Sequence, residues 1–221
     1  MQTPSHTNPP AANMNSAAAN MKSPAANDAV FNERGLLDAA IAPEAQIQQT
    51  MMPAQGQSFE QWMESRTARF ATRRYDWDTL KFQSDFDAKY RRAQMRYVGT
   101  GGAGVTQDNN TVPAGHFTFS TMVIPAGHEG PSHIHYDVEE IFFMLRGTLK
   151  VICEKRDASG AVTERWETVL KERDLISVPP GVYREEINIG DEDALMCVML
   201  GSATPIRPVY PPGSPLSKLK R

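Results

Sequence analysis

The sequence predicts an all-β barrel or jelly-roll sandwich preceded by a partly helical arm, and three observations support this. From about residue 98, short runs of alternating apolar and polar residues recur at close spacing. Clusters of Gly, Pro and Asp separate these runs as turns. Residues 51–97 lack that texture and are dense in aromatics and Arg, while residues 1–50 hold little large apolar surface. A chain of 221 residues is long enough for one ordinary domain with a full core plus a tail.

Up to residue 30, Ala, Asn, Pro, Ser and Met dominate, and Lys22 and Asp28 are the only charged side chains. Such a segment cannot offset its ordering entropy, so residues 1–50 are expected to be a disordered tail. Met14, Met21, Met51 and Met52 are read as incidental to that tail rather than as a thioether metal tract. Ser58-Phe59-Glu60-Gln61 has the capping-box pattern, and Phe59, Trp62, Met63 and Phe70 follow at roughly helical spacing. Residues 51–97 are therefore expected to form an arm of helices and irregular pieces that packs on the barrel or on a partner subunit. Its interleaved Glu60, Glu64, Asp76, Asp78, Asp85 and Asp87 argue against a stacking surface for nucleic acid.

The barrel is expected over residues 98–203. Thr100-Gly101-Gly102-Ala103-Gly104 lacks the Lys-Ser/Thr ending of a phosphate loop and reads as a turn. Strands are expected at 116–124, 141–145, 149–154, 162–170, 175–178, 182–189 and 194–200. Arg146-Gly147-Thr148 is a tight hairpin turn, and Pro179-Pro180-Gly181 stops a strand. Trp166 is read as barrel lining and core. Residues 204–221 form a Pro-rich tail expected to lie extended over the surface.

The net charge of -3 gives no case for nucleic acid or an anionic membrane surface. No apolar run approaches the roughly 18 residues of a membrane helix, and no basic-then-apolar leader is evident. Cys153 and Cys197 lie in apolar strand-like runs and read as reduced, buried thiols of a cytoplasmic protein.

The segment that carries chemistry runs from Gly127 to Gly147. On a strand, side chains two apart face the same way, so His133 and His135 project together from one wall. Glu139-Glu140 opens the next strand, and Phe142 and Met144 share the face of Glu140. Two imidazoles and one carboxylate suit a divalent ion such as Fe(II), Mn(II), Ni(II) or Zn(II), with positions left open.

These residues resemble the first motif of the cupin superfamily: Gly, five residues, His-x-His, four residues, Glu, six residues, Gly. Gly127, His133, His135, Glu140 and Gly147 fit every position, and the spacing selects Glu140 over Glu139. In the second motif, Pro179, Gly181 and Asn188 match, Arg173 stands where Gly is usual, and Arg184 stands where a fourth ligand, His, is usual. No His follows His135, and a guanidinium is not a metal ligand. Three readings stay open. The triad holds the metal alone and Arg184 clamps a substrate anion; or His116 completes the site, with His128 or Glu186 as weaker alternatives; or the site has decayed and Arg184 pairs with Glu140 or Glu186. Phe142, Met144 and Tyr183 are the candidate pocket residues.

The resemblance implies a cupin-type double-stranded β-helix, a homodimer, and a metal-dependent enzyme acting on a small molecule. An Fe(II) dioxygenase for an anionic or aromatic substrate is the first expectation. A redox-neutral isomerase, lyase or hydrolase, or a non-catalytic small-ligand-binding cupin, are the alternatives.

Overall fold

A computed structural model describes residues 53–105 and 107–218. The tail expected at residues 1–50 and its methionines lie outside the described residues. Among the described residues no helix is long and apolar enough to cross a membrane.

Nine strands are described: β1 (Ala93–Val98), β2 (Thr118–Ile124), β3 (Glu129–Ile134), β4 (Glu140–Arg146), β5 (Leu149–Arg156), β6 (Val162–Leu170), β7 (Leu175–Val178), β8 (Tyr183–Asn188) and β9 (Ala194–Leu200). They form two antiparallel sheets, ordered β1-β2-β9-β4-β7 and β3-β8-β5-β6, in a jelly-roll arrangement. Strand alternation places the core between them. On β9, Ala194, Met196, Val198 and Leu200 turn inward. On β4, Glu140, Phe142 and Met144 share one face and pair with Leu200, Val198 and Met196 respectively. A slip of one residue would turn this apolar set, and Glu140 with it, out to solvent.

Turn chemistry closes the strands. Gly147 links β4 to β5 at φ 87°, and a Cβ there would come within 2.8 Å of Ala194 Cα, so only Gly fits. Arg173 adopts φ 71°, the left-handed conformation of the Gly whose place it takes in the second motif. That conformation costs a non-Gly residue roughly 1–2 kcal/mol, partly offset by the greater freedom Gly has unfolded. The Arg173 side chain is 84% exposed and contributes little packing. Arg173→Gly is therefore expected to stabilise the fold by up to about 1 kcal/mol, read as a thermal midpoint raised by a few degrees. An unchanged or lower midpoint contradicts this. Asn188 ties strand ends together: its Nδ2 donates to the Ile124 and Glu192 carbonyls, each at 2.8 Å, and its Oδ1 accepts from Gly190 N at 2.9 Å.

The arm differs from expectation at its end. The sheet begins at Ala93, not near 98, because β1 pairs antiparallel with β2. Its Ala-Gln-Met-Arg-Tyr-Val composition carries one β-branched residue and buries Gln94, so it lacks a strand-like pattern. The capping box at Ser58 forms as read and starts α1 (Phe59–Ser65), which buries none of its residues. α2 (Lys81–Ser84) follows. Arg96 on β1 latches the arm through Asp76 Oδ2 at 2.8 Å and Asp108 Oδ2 at 2.7 Å. Burial raises the Asp76 carboxyl, but the Thr79 hydroxyl, Arg96 and two backbone amides outweigh it and hold the pKa at about 2.

Two further expectations are corrected. Trp166 is 56% exposed rather than core, because β6 is the edge strand of its sheet and nearly all of its residues face solvent. The Pro-rich tail is tied down: Val209 and Ile134 exchange backbone hydrogen bonds at 2.8 and 2.9 Å, and Tyr210 and Leu216 are buried. Cys153 and Cys197 are free and half-buried.

Candidate metal centre and pocket

His133 lies near the end of β3, just past a bulge between Gly130 and His133. Pro131 sits in that bulge, where its missing N–H leaves no ladder bond unmade. The Pro131 carbonyl lies 2.9 Å from His133 Nδ1, so that nitrogen carries the proton. His135 sits one residue beyond the strand, and Glu140 begins β4. The ligand atoms of His133, His135 and Glu140 all lie within 4.8 Å of one another, and all three side chains are buried. His133 Nε2 is 3.3 Å and His135 Nε2 3.8 Å from Glu140 Oε2.

This donor set fits a cation. His133 Nε2 and His135 Nε2 both face the Glu140 carboxylate in a buried site. Two imidazole nitrogens and a carboxylate oxygen converging there are donor types that a divalent cation takes. Burial, together with His133 and Arg184, pushes His135 down to about 4 despite Glu140. Burial raises Glu140, but the His133 hydrogen bond and the charges of His133, His135 and Arg184 hold it at about 2. At neutral pH His135 is thus neutral and Glu140 ionised, the states that ligate metals.

Both groups bind protons less readily folded than unfolded, so chelator-treated protein loses stability as pH falls. For His135 the loss starts near 6.5 and is complete below about 4; for Glu140 it runs from 4.5 to about 2. The His135 part is on the order of 3 kcal/mol. Thermal midpoints of chelated protein should fall between pH 7 and 4, and His135→Gln should flatten that slope. A wild-type midpoint constant over this range contradicts the assignment.

Arg184 is not the anion clamp expected from its motif position. It is fully buried and is not among the residues lining the pocket. β8 pairs it with His133 on one side and Cys153 on the other. Nη2 donates to the Pro179 carbonyl at 3.1 Å, and Nε stands 3.7 Å from Glu140 Oε2. The guanidinium compensates the buried Glu140 and does not line the cavity. His116 is not the fourth ligand either: it is exposed in the turn before β2, outside the cluster. His128, in the turn before β3, is also outside it.

The triad opens into a cavity of about 70 Å³. Phe142, Met196 and Leu200 give it an apolar wall, and the Gly101-Gly102 turn and Tyr210 of the tail also line it. Met144 is not a lining residue: it is wholly buried in the core beneath. Tyr183 is not one either, because it packs under the Arg156 guanidinium with 5.4 Å to its ring centroid. Sequence reasoning missed Gln83, Arg92 and Gln94, which also line the cavity, and took Glu186 only as a weak ligand candidate. Gln83, Arg92 and Gln94 sit in the arm and β1, where no motif marks them.

Residues 120–200 match the family model described as "Cupin domain". Among solved structures, a recombinant oxalate oxidase in complex with glycolate is 24% identical with a TM-score of 0.39, covering 43% of this chain and 46% of that one. Oxalate decarboxylase of Lactobacillus farciminis, in its formate complex, is 16% identical with a TM-score of 0.42, covering 54% of this chain and 31% of that one. CapF with the inhibitor 3-isopropenyl-tropolone is 13% identical with a TM-score of 0.41, covering 59% of this chain and 30% of that one. This chain thus spans about half or less of the length of each. No curated protein matches. The complete His-x-His and Glu spacing lies on a jelly-roll wall within residues 120–200, the stretch of this chain that matches the cupin domain family.

Proposed function

We propose that this chain is a metal-dependent enzyme in which His133, His135 and Glu140 hold one divalent cation, and that with Fe(II) it is a dioxygenase for a small anionic or aromatic substrate. The observation that carries it is the convergence of three buried donor atoms within 4.8 Å at the wall of a cavity. Fe(II) at this site would supply redox chemistry toward dioxygen and a Lewis acid for substrate oxygens. The Pro131 carbonyl fixes the His133 tautomer, and Arg184 neutralises Glu140. Phe142, Met196 and Leu200 restrict water. Arg92 supplies the positive charge that lines the cavity and takes the anion-orienting role first given to Arg184.

A redox-neutral reaction is the second reading, favoured by Glu186, a buried carboxylate that lines the cavity outside the triad. Elemental analysis of protein purified without chelator, followed by oxygen uptake with small phenolic and keto acids, separates the two. Uptake with Fe(II) but not Zn(II) is expected. Conversion without uptake selects the second reading, and an absence of bound metal overturns both. A homodimer belongs to the same proposal: edge strand β6 exposes Val162, Trp166 and Val169, and light scattering should give twice the chain mass.

A further inference from the structure

The end of the cavity contributed by the arm, β1 and β8 is polar. Gln83, Arg92, Gln94 and Glu186 line it, and each is more than nine-tenths buried. Their hydrogen bonding is incomplete in a patterned way. Gln83 Nε2 donates to Tyr210 OH at 2.6 Å, and Gln94 Nε2 donates to Ser120 Oγ at 2.9 Å. Both amide nitrogens are thereby held, and the two Oε1 atoms have no partner among the described residues. Arg92 Nη1 and Glu186 Oε1 stand 3.9 Å apart, too far for a hydrogen bond, and Arg92 Nε and Glu186 Oε2 have no partner among the described residues. Gly130 makes room for this loose pair: a Cβ there would run into both Glu186 and Arg92.

Among the atoms left with no partner, this polar end offers three acceptors against one donor. Buried acceptors left unmade are costly, so the ligand that fits is one rich in hydrogen-bond donors. A hydroxyl is the group that can donate to Glu186 Oε2 while accepting from Arg92 Nε. Further hydroxyls donate to Gln83 and Gln94. A plain dicarboxylate, which only accepts, satisfies one of the four atoms.

We propose that Gln83, Arg92, Gln94 and Glu186 form a recognition wall for a small hydroxylated ligand, a hydroxy acid or short polyol. This rests on reading the cavity as the substrate site. It narrows the anionic substrate to one whose far end carries hydroxyls.

The test uses the full chain loaded with Zn(II), which does not cycle its oxidation state. Calorimetry measures propionate, lactate and glycerate, which share three carbons and carry zero, one and two hydroxyls. Glycerate is expected to bind at least about tenfold more tightly than propionate, with lactate between. Gln94→Met and Gln83→Met should each reduce that ratio severalfold, with the zinc content unchanged. Equal binding of the three acids, no binding of glycerate, or an undiminished ratio in both variants overturns the proposal. Failure of the metal reading shows separately, as absent zinc in elemental analysis while chelated protein still prefers glycerate.

Discussion

Arg184→Met is expected to cost about 3–5 kcal/mol of stability, read as a thermal midpoint lower by roughly 10 °C or more. The methionine occupies similar volume, so packing is largely kept. What is lost is charge. Glu140 is buried and ionised, and the guanidinium 3.7 Å behind it is the fixed positive charge that compensates it. The substitution also removes the donor to the Pro179 carbonyl. Saturating Zn(II) should recover part of the loss, because a cation at the triad supplies the missing charge from the other side. Arg184→Lys should fall between, since an ammonium keeps the charge and loses the fork. A loss under 1 kcal/mol, or an equal loss with and without Zn(II), would show that Arg184 only packs.

His135→Ala is expected to lower metal affinity by more than about 100-fold, exceeding the 10–100-fold typical of losing a supporting group around a ligand. Three donors converge here, and removing one leaves His133 and Glu140 unable to enclose an ion. The outcome is read as metal per chain after dialysis against micromolar Zn(II). His116→Ala is the control: His116 is exposed and outside the cluster, and its metal content should match wild type. Stoichiometric metal in the His135→Ala protein would place the site elsewhere.

The three-donor cluster was legible because it is local. His133 and Glu140 are seven residues apart, and strand alternation plus one turn brings them together. The left-handed turns were legible for a similar reason, since Gly147 and Gly181 answer to backbone geometry of a few residues. β1 was not, because a strand with a buried Gln and a single β-branched residue is placed only by its pairing with β2. The direction of Arg184 was not legible either. A motif position states which strand face a residue occupies, but Arg is long enough to fold behind the triad.

The amino-acid sequence by itself determined the alternating strands, their turns and the three donor residues. These depend on periodicity and short-range geometry, which a chain carries wherever it goes. Only the tertiary structure decided what faces the donors. The Gln83 amide meets the Tyr210 hydroxyl across 127 residues of chain, and Arg92, just before β1, comes within 3.9 Å of Glu186 on β8. The pocket's polar end, and the exclusion of Arg184 from it, arise from closing the sandwich, arm and tail over one cavity. Side chains that meet only through that closure leave no spacing to read.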